Sequence, residues 1–186
     1  MRLGQIVKRA LEQAGEDAAD LEEYRDQLTG YVNEGYHRMI REAYRPMRRA
    51  VLTVEDGTVS TASLRGAIEV RSVKQDGRNI RFDYLPFERS LLLSGAKDGA
   101  DAAVEYTHDE DDMTDAEEEP RLPETAHGAL ADYGTYRFLL NGNLNKQQRA
   151  QAYLQHYMLA LRAIRPFGRQ GGGVKRWTGL YEATRG

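Results

Sequence analysis

The chain has 186 residues, 30% of them charged, with a formal net charge of −3 and no cysteine. That length suits one domain, or one domain with an inserted sub-domain, and is enough to bury a sizeable core. Lack of cysteine excludes disulfides and thiolate metal sites and fits synthesis in a reducing compartment. No apolar run reaches the roughly eighteen residues of a membrane span, and the first residues lack the apolar stretch and cleavage site of a signal peptide.

Leu3, Ile6, Val7, Ala10, Leu11 and Ala14 recur at helical spacing, and Gly15 ends that helix. Asp20 before Leu21, with Glu23 three positions on, resembles a capping box. It opens a second helix that the apolar pattern carries to Tyr44 before Pro46. Gly30 and Gly35 weaken that helix by about 1 kcal/mol each relative to alanine, unless they let another helix approach closely. From Val51 the period changes to that of strands. Asp56-Gly57 and Asp76-Gly77 each lie between alternating apolar runs and predict two hairpins, 51–61 and 67–84. The stretch from Phe87 to Leu93 has no readable type, and 103–107 predicts a last strand. Residues 109–119 hold eight carboxylates. After Pro123, helical periodicity returns in Ala126, Ala129, Leu130, Tyr133, Arg137 and Leu140. A turn at 141–145 leads to a final helix with Ala150, Tyr153, Leu154, Tyr157, Leu161 and Ile164 on one face.

These elements predict an α+β chain, mainly a helical bundle with an inserted small antiparallel β sub-domain and an extended C-terminal arm. The divisions fall at 1–46, N-terminal helices; 47–108, β-rich insert; 109–123, acidic loop; 124–164, C-terminal helices; and 165–186, a Gly-rich basic arm. The arm carries Arg165, Arg169, Lys175, Arg176 and Arg185 against Glu182, a charge of +4, so residues 1–164 carry −7. It also holds Phe167 before the glycines Gly171 to Gly173, and the single tryptophan Trp177, Leu180 and Tyr181 beyond them. Aromatic side chains beside cations on a glycine hinge have the composition of a partner-binding segment. Phe167, Arg169, Lys175, Arg176, Trp177, Leu180 and Tyr181 are the candidate contacts.

No catalytic constellation emerges. The acidic run fails the calcium-loop pattern, because Met113 and Thr114 stand at its fifth and sixth positions; a solvated loop or one that closes a helix terminus is expected instead. The four histidines (His37, His108, His127 and His156) have no metal-dyad spacing, although His127 and His156 meet if the last two helices are antiparallel neighbours. Gly168 to Gly173 has phosphate-loop spacing, but Val174 stands where lysine is required. The expectation is therefore no enzyme, no metal and no cofactor. Arg38, Arg41 and Arg45 fall on one helical face near Arg48 and Arg49 and could meet phosphate or a neighbouring subunit. The acidic sum disfavours sequence-independent DNA binding, whose strength scales with phosphates neutralised. Eleven tyrosines, those at 24, 31, 133, 153 and 157 on helical stripes, suit packing within and between subunits.

The opening Met1-Arg-Leu-Gly-Gln-Ile-Val-Lys-Arg-Ala-Leu helix, Leu28-Thr-Gly-Tyr-Val-Asn-Glu-Gly-Tyr-His-Arg-Met, the β insert, Val104-Glu-Tyr, the acidic loop and Leu122-Pro-Glu-Thr-Ala-His-Gly-Ala-Leu-Ala-Asp-Tyr-Gly-Thr-Tyr together have a familiar order. Over about residues 1 to 165 the chain resembles the head–tail adaptor (connector) proteins of tailed bacteriophages, the short-tailed kind in particular. The resemblance implies a structural virion protein, made in the host cytoplasm and placed in the virion neck. It implies a homo-oligomeric ring of twelve copies beneath the portal protein, joined to a tail or nozzle protein and passing DNA, with the C-terminal arm on the portal. The alternative is a nucleic-acid-binding or DNA-packaging accessory protein that uses the arginine stripe and the arm.

Overall fold

A computed structural model describes residues 1–164. They form two compact units: residues 1–44 with 110–164, and residues 45–109. In the first are α1 (Leu3–Ala14), α2 (Leu21–Met39), α3 (Glu124–Leu140) and α4 (Leu144–Ala163). The second holds β1 (Met47–Thr53), β2 (Thr58–Ser60), β3 (Ala67–Gln75), β4 (Arg78–Leu85), β5 (Ser90–Ser94) and β6 (Asp101–His108). About 46% of the described residues are helical and 25% lie in strands. The expectation of a mainly helical bundle with a small inserted sheet is thereby corrected: the fold is an α+β mixture in which a six-stranded curled antiparallel sheet forms a unit of its own.

In the helical unit α3 is the central element, packed by α1, α2 and α4. Its sequence suits that position. Ala126, Ala129, Ala131, Gly134 and Thr135 are buried beside Leu130, Tyr133 and Leu139, and such small residues let three helices close around one. Gly35 of α2 marks the tightest approach, since a Cβ there would lie 2.8 Å from the Tyr133 ring. At Gly30, one and a half turns away, nothing lies within 4 Å. Gly15 ends α1 in the left-handed conformation. The predicted cap at Asp20 is corrected: its side chain makes no capping bond. Instead Asp17 accepts from the Ala19 amide at 3.0 Å and starts a 3₁₀ turn, Ala18–Asp20, that leads into α2.

The sheet runs in the order β1-β6-β3-β4-β5-β2. Its interior is an apolar cluster that includes Val54, Val59, Val70, Val73, Tyr84, Leu91, Leu93, Val104 and Tyr106. The second predicted hairpin is present: β3 pairs with β4, with Val73 opposite Ile80, around Asp76 at φ 51°. The first is corrected. Glu55 and Thr58 exchange two 2.8 Å backbone bonds around Asp56, but β1 then pairs only with β6 and β2 only with β5. Both strands beyond that turn alternate well enough to pair locally, yet the sheet curls and sends each to a different neighbour. The unreadable stretch from Phe87 to Leu93 holds most of β5, whose Leu91-Leu92-Leu93 run masks its period.

The two glycines of α2 generate a paired prediction. Gly30→Ala should stabilise the protein by about 0.5–1 kcal/mol through helix propensity. Gly35→Ala should lose about 1–3 kcal/mol through overpacking against Tyr133, despite the same gain in propensity. Urea unfolding of both variants would check the opposite signs.

Candidate functional site

The acidic segment is an ordered strap across the helical unit. An α-helix leaves its first amides without internal partners, and here the strap supplies two of them. Leu3 N donates to Glu118 O at 2.8 Å and Gly4 N to Ala116 O at 2.9 Å. Position 4 is a glycine where a Cβ would come within 3.2 Å of the Ala116 Cβ. Arg2 pairs with Glu117, so Glu117 and Glu118 lie where the positive end of the helix dipole favours carboxylates. The strap is also shaped from within. The Glu118 side chain accepts from the Thr114 and Asp115 amides at 2.7 and 3.2 Å.

Its other anchor is α2. Asn33 donates from Nδ2 to Met113 O at 2.9 Å and accepts at Oδ1 from Met113 N at 3.1 Å, with the Met113 side chain buried. The His37 ring nitrogen lies 2.6 Å from Asp112 Oδ1, and the Arg121 amide donates to Tyr36 Oη at 3.1 Å. Asp111, Asp112, Asp115, Glu117, Glu118 and Glu119 are nonetheless exposed, so the strap presents a fixed negative surface. Among the described residues no group of three or more His, Cys, Asp or Glu is arranged to hold a metal ion.

The arginine stripe does not form as expected. After Met39 the helix widens into a π-type turn, Ile40–Tyr44, which changes the spacing. Arg45 then adopts φ 48° immediately before Pro46, a proline that steers its predecessor out of the right-handed helical region. Arg38, in the helical unit, pairs with Glu42 at 2.9 Å and lies 5.9 Å from the Tyr157 ring centroid. Arg41 lies in the π-type turn. Arg45 belongs to the sheet unit, where the buried Glu69 carboxylate has Arg71 at 3.2 Å and Arg45 at 3.8 Å. Arg48 and Arg49 lie on β1. The single helical face proposed for Arg38, Arg41 and Arg45 is therefore corrected.

The tyrosines on helical stripes hold α2, α3 and α4 together. Tyr157 donates to Gly35 O at 2.8 Å and Tyr133 to Glu34 Oε1 at 2.8 Å, and the two rings are 4.7 Å apart. Arg137 pairs with Glu34 at 3.0 Å and lies 5.4 Å from the Tyr31 ring centroid. Burial, with the hydrogen bond to Glu34 next, pushes the Tyr133 hydroxyl up to about 12; burial raises Tyr157 as well. His127 and His156 do not pair: His127 Nε2 bonds Leu122 O at 3.0 Å, whereas His156 is exposed beside Tyr153. In the sheet unit, Ser72 and Lys74 donate to Glu105 at 2.7 and 3.3 Å and hold its carboxyl below the usual range. The candidate arm contacts Phe167, Arg169, Lys175, Arg176, Trp177, Leu180 and Tyr181 lie outside the described residues.

Sequence reasoning missed Asn33, the residue that clamps the strap. A lone asparagine inside a helix carries no pattern of its own. Its one signal is a polar residue on the apolar stripe beside Val32 and Tyr36.

Asn33→Ala should cost about 1–3 kcal/mol, because it leaves the Met113 amide and carbonyl without their partner. Hydrogen exchange should show the Leu3 and Gly4 amides losing protection in that variant. The tyrosine pair gives a pH dependence of definite sign. An unfolded tyrosine ionises near 10.0 while folded Tyr133 keeps its proton to about 12. Stability is therefore full below pH 10 and falls as pH rises through that window. Urea midpoints measured across it should fall less steeply for Tyr133→Phe than for the wild type.

No protein-family model matches the chain, and no curated protein matches it significantly in sequence.

Proposed function

We propose that this protein is a non-enzymatic structural subunit of a phage virion. As a head–tail adaptor it forms a ring beneath the portal protein, joins it to the tail or nozzle protein and lets DNA pass. The reading places it in the virion neck after synthesis in the host cytoplasm, with no cofactor.

The observation that supports this reading most is the acidic strap. Its backbone is tied to α1 and its Met113 to Asn33, while six of its eight carboxylates remain at the surface. A rigid negative surface repels nucleic-acid phosphates instead of holding them, which suits a wall past which DNA slides. The nucleic-acid-binding alternative needs a cationic stripe, and Arg38 and Arg45 are each engaged by a carboxylate, one in each unit.

The test is attachment. A chain ending at Ile164 should still fold, by cooperative urea unfolding, and lose binding to portal-containing heads. Undiminished attachment would overturn the role given to residues 165–186. The full chain should retain no duplex DNA on a filter at low salt; strong, salt-dependent retention would replace the adaptor with the DNA-packaging alternative.

A further inference from the structure

Helix α4 buries Ala150, Tyr157 and Leu161 against its neighbours. On its other side Leu144, Gln148, Gln151, Ala152, Gln155 and Leu159 are all exposed. Leu144 is 69% and Leu159 61% exposed. Steps of three and four residues place these six side chains in one stripe along the helix. These six side chains carry no ionisable group; Arg162, exposed and three residues beyond Leu159, continues the stripe at its C-terminal end. Moreover, α4 has no aspartate or glutamate at any position, which is true of no other α-helix among the described residues.

That absence matters because of what surrounds it. Residues 1–44 and 110–164 hold eleven basic and eighteen acidic side chains, a charge of −7. Two copies that approach through faces rich in carboxylates repel each other. Through α4 they can approach without opposing carboxylates.

The order of residues in the stripe adds a second, independent argument. It reads Leu, Gln, Gln/Ala, Gln, Leu from either end. Antiparallel packing about its midpoint sets Leu144 of one copy over Leu159 of the other and Gln148 over Gln155. Gln151 and Ala152 then lie at the centre. Such self-complementarity is what a two-fold, isologous contact requires.

We propose that the outer face of α4 is a two-fold contact with a second copy of this chain. The leucines at the two ends exclude water, and the glutamine amides satisfy one another between them. The contact is small, so association is reversible and depends on concentration. It does not rest on the ring reading. Ring contacts are head-to-tail, whereas a two-fold pair closes on itself, so failure of either leaves the other standing.

The absence of cysteine allows a clean test on the full-length protein. Ala152→Cys puts one thiol at the two-fold centre, and Glu12→Cys puts one on the exposed side of α1 as a control. Mild oxidation should convert the first variant to a disulfide-linked dimer and leave the second monomeric. Adding Leu159→Glu or Leu144→Glu to Ala152→Cys should reduce cross-linking by about tenfold, and both to a similar degree, because each leucine faces the other across the axis. All four positions are exposed, so the circular dichroism spectra should match the wild type. Equal cross-linking of the two thiols, or indifference to the added charges, would overturn the proposal. So would a dimer that appears only after residues 165–186 are removed, which would mean that the chain's own C-terminal segment covers the face.

Discussion

The first amides of α1 have no partners in their own helix, and the carbonyls of Ala116 and Glu118 meet two of them from more than a hundred residues away. Most of the helical unit depends on that closure. It holds the strap in place, brings Met113 under Asn33, and sets the residues that lead into α3. Glu117 and Glu118 then sit at the positive end of α1, where negative charge is least costly. An acidic segment of this composition would ordinarily repel itself into an extended chain. Here backbone hydrogen bonds and one buried methionine give it a defined path.

Helix α3 carries the complementary constraint. Its alanines, Gly134 and Thr135 let α1, α2 and α4 come close, and Gly35 extends the same logic to α2. Tyr133 and Tyr157 fill the space so created and supply the polar atoms that buried aromatic side chains need, to Glu34 and to the Gly35 carbonyl. The sheet unit is organised differently. Its core is built from branched and aromatic side chains facing inward across a curled sheet, while Ser72, Lys74 and Glu105 form a polar group bridging β3 and β6.

Much of the helical part was legible because period and punctuation agreed. The apolar stripe of α1 ended at Gly15, and α3 began directly after Pro123. Gly35 was legible as a possible close approach, but its partner was not, since a sequence does not say which ring faces a glycine. The sheet was harder. Two Asp-Gly turns looked alike, yet only the second joins paired strands, because pairing beyond a turn is settled by the curl of the whole sheet. The triple leucine of β5 gave no alternation to read. The arginine stripe failed for a local reason: a π-type turn and the proline after Arg45 altered the geometry on which helical spacing relies. The strap was legible as acidic and as a possible helix closure. Its clamp was not, because two hydrogen bonds from one asparagine leave no periodic trace.

The strap also fixes an order of events during synthesis. Among the described residues the sheet unit is contiguous, and all of that stretch has been made once the ribosome passes Asp109. By then α1 and α2 have long been exposed, with their apolar stripes uncovered, waiting for the strap and for α3. A contiguous module can close while the divided one around it cannot. The sheet can therefore close early in synthesis, whereas the helical unit has its full set of partners only once α4 has been made.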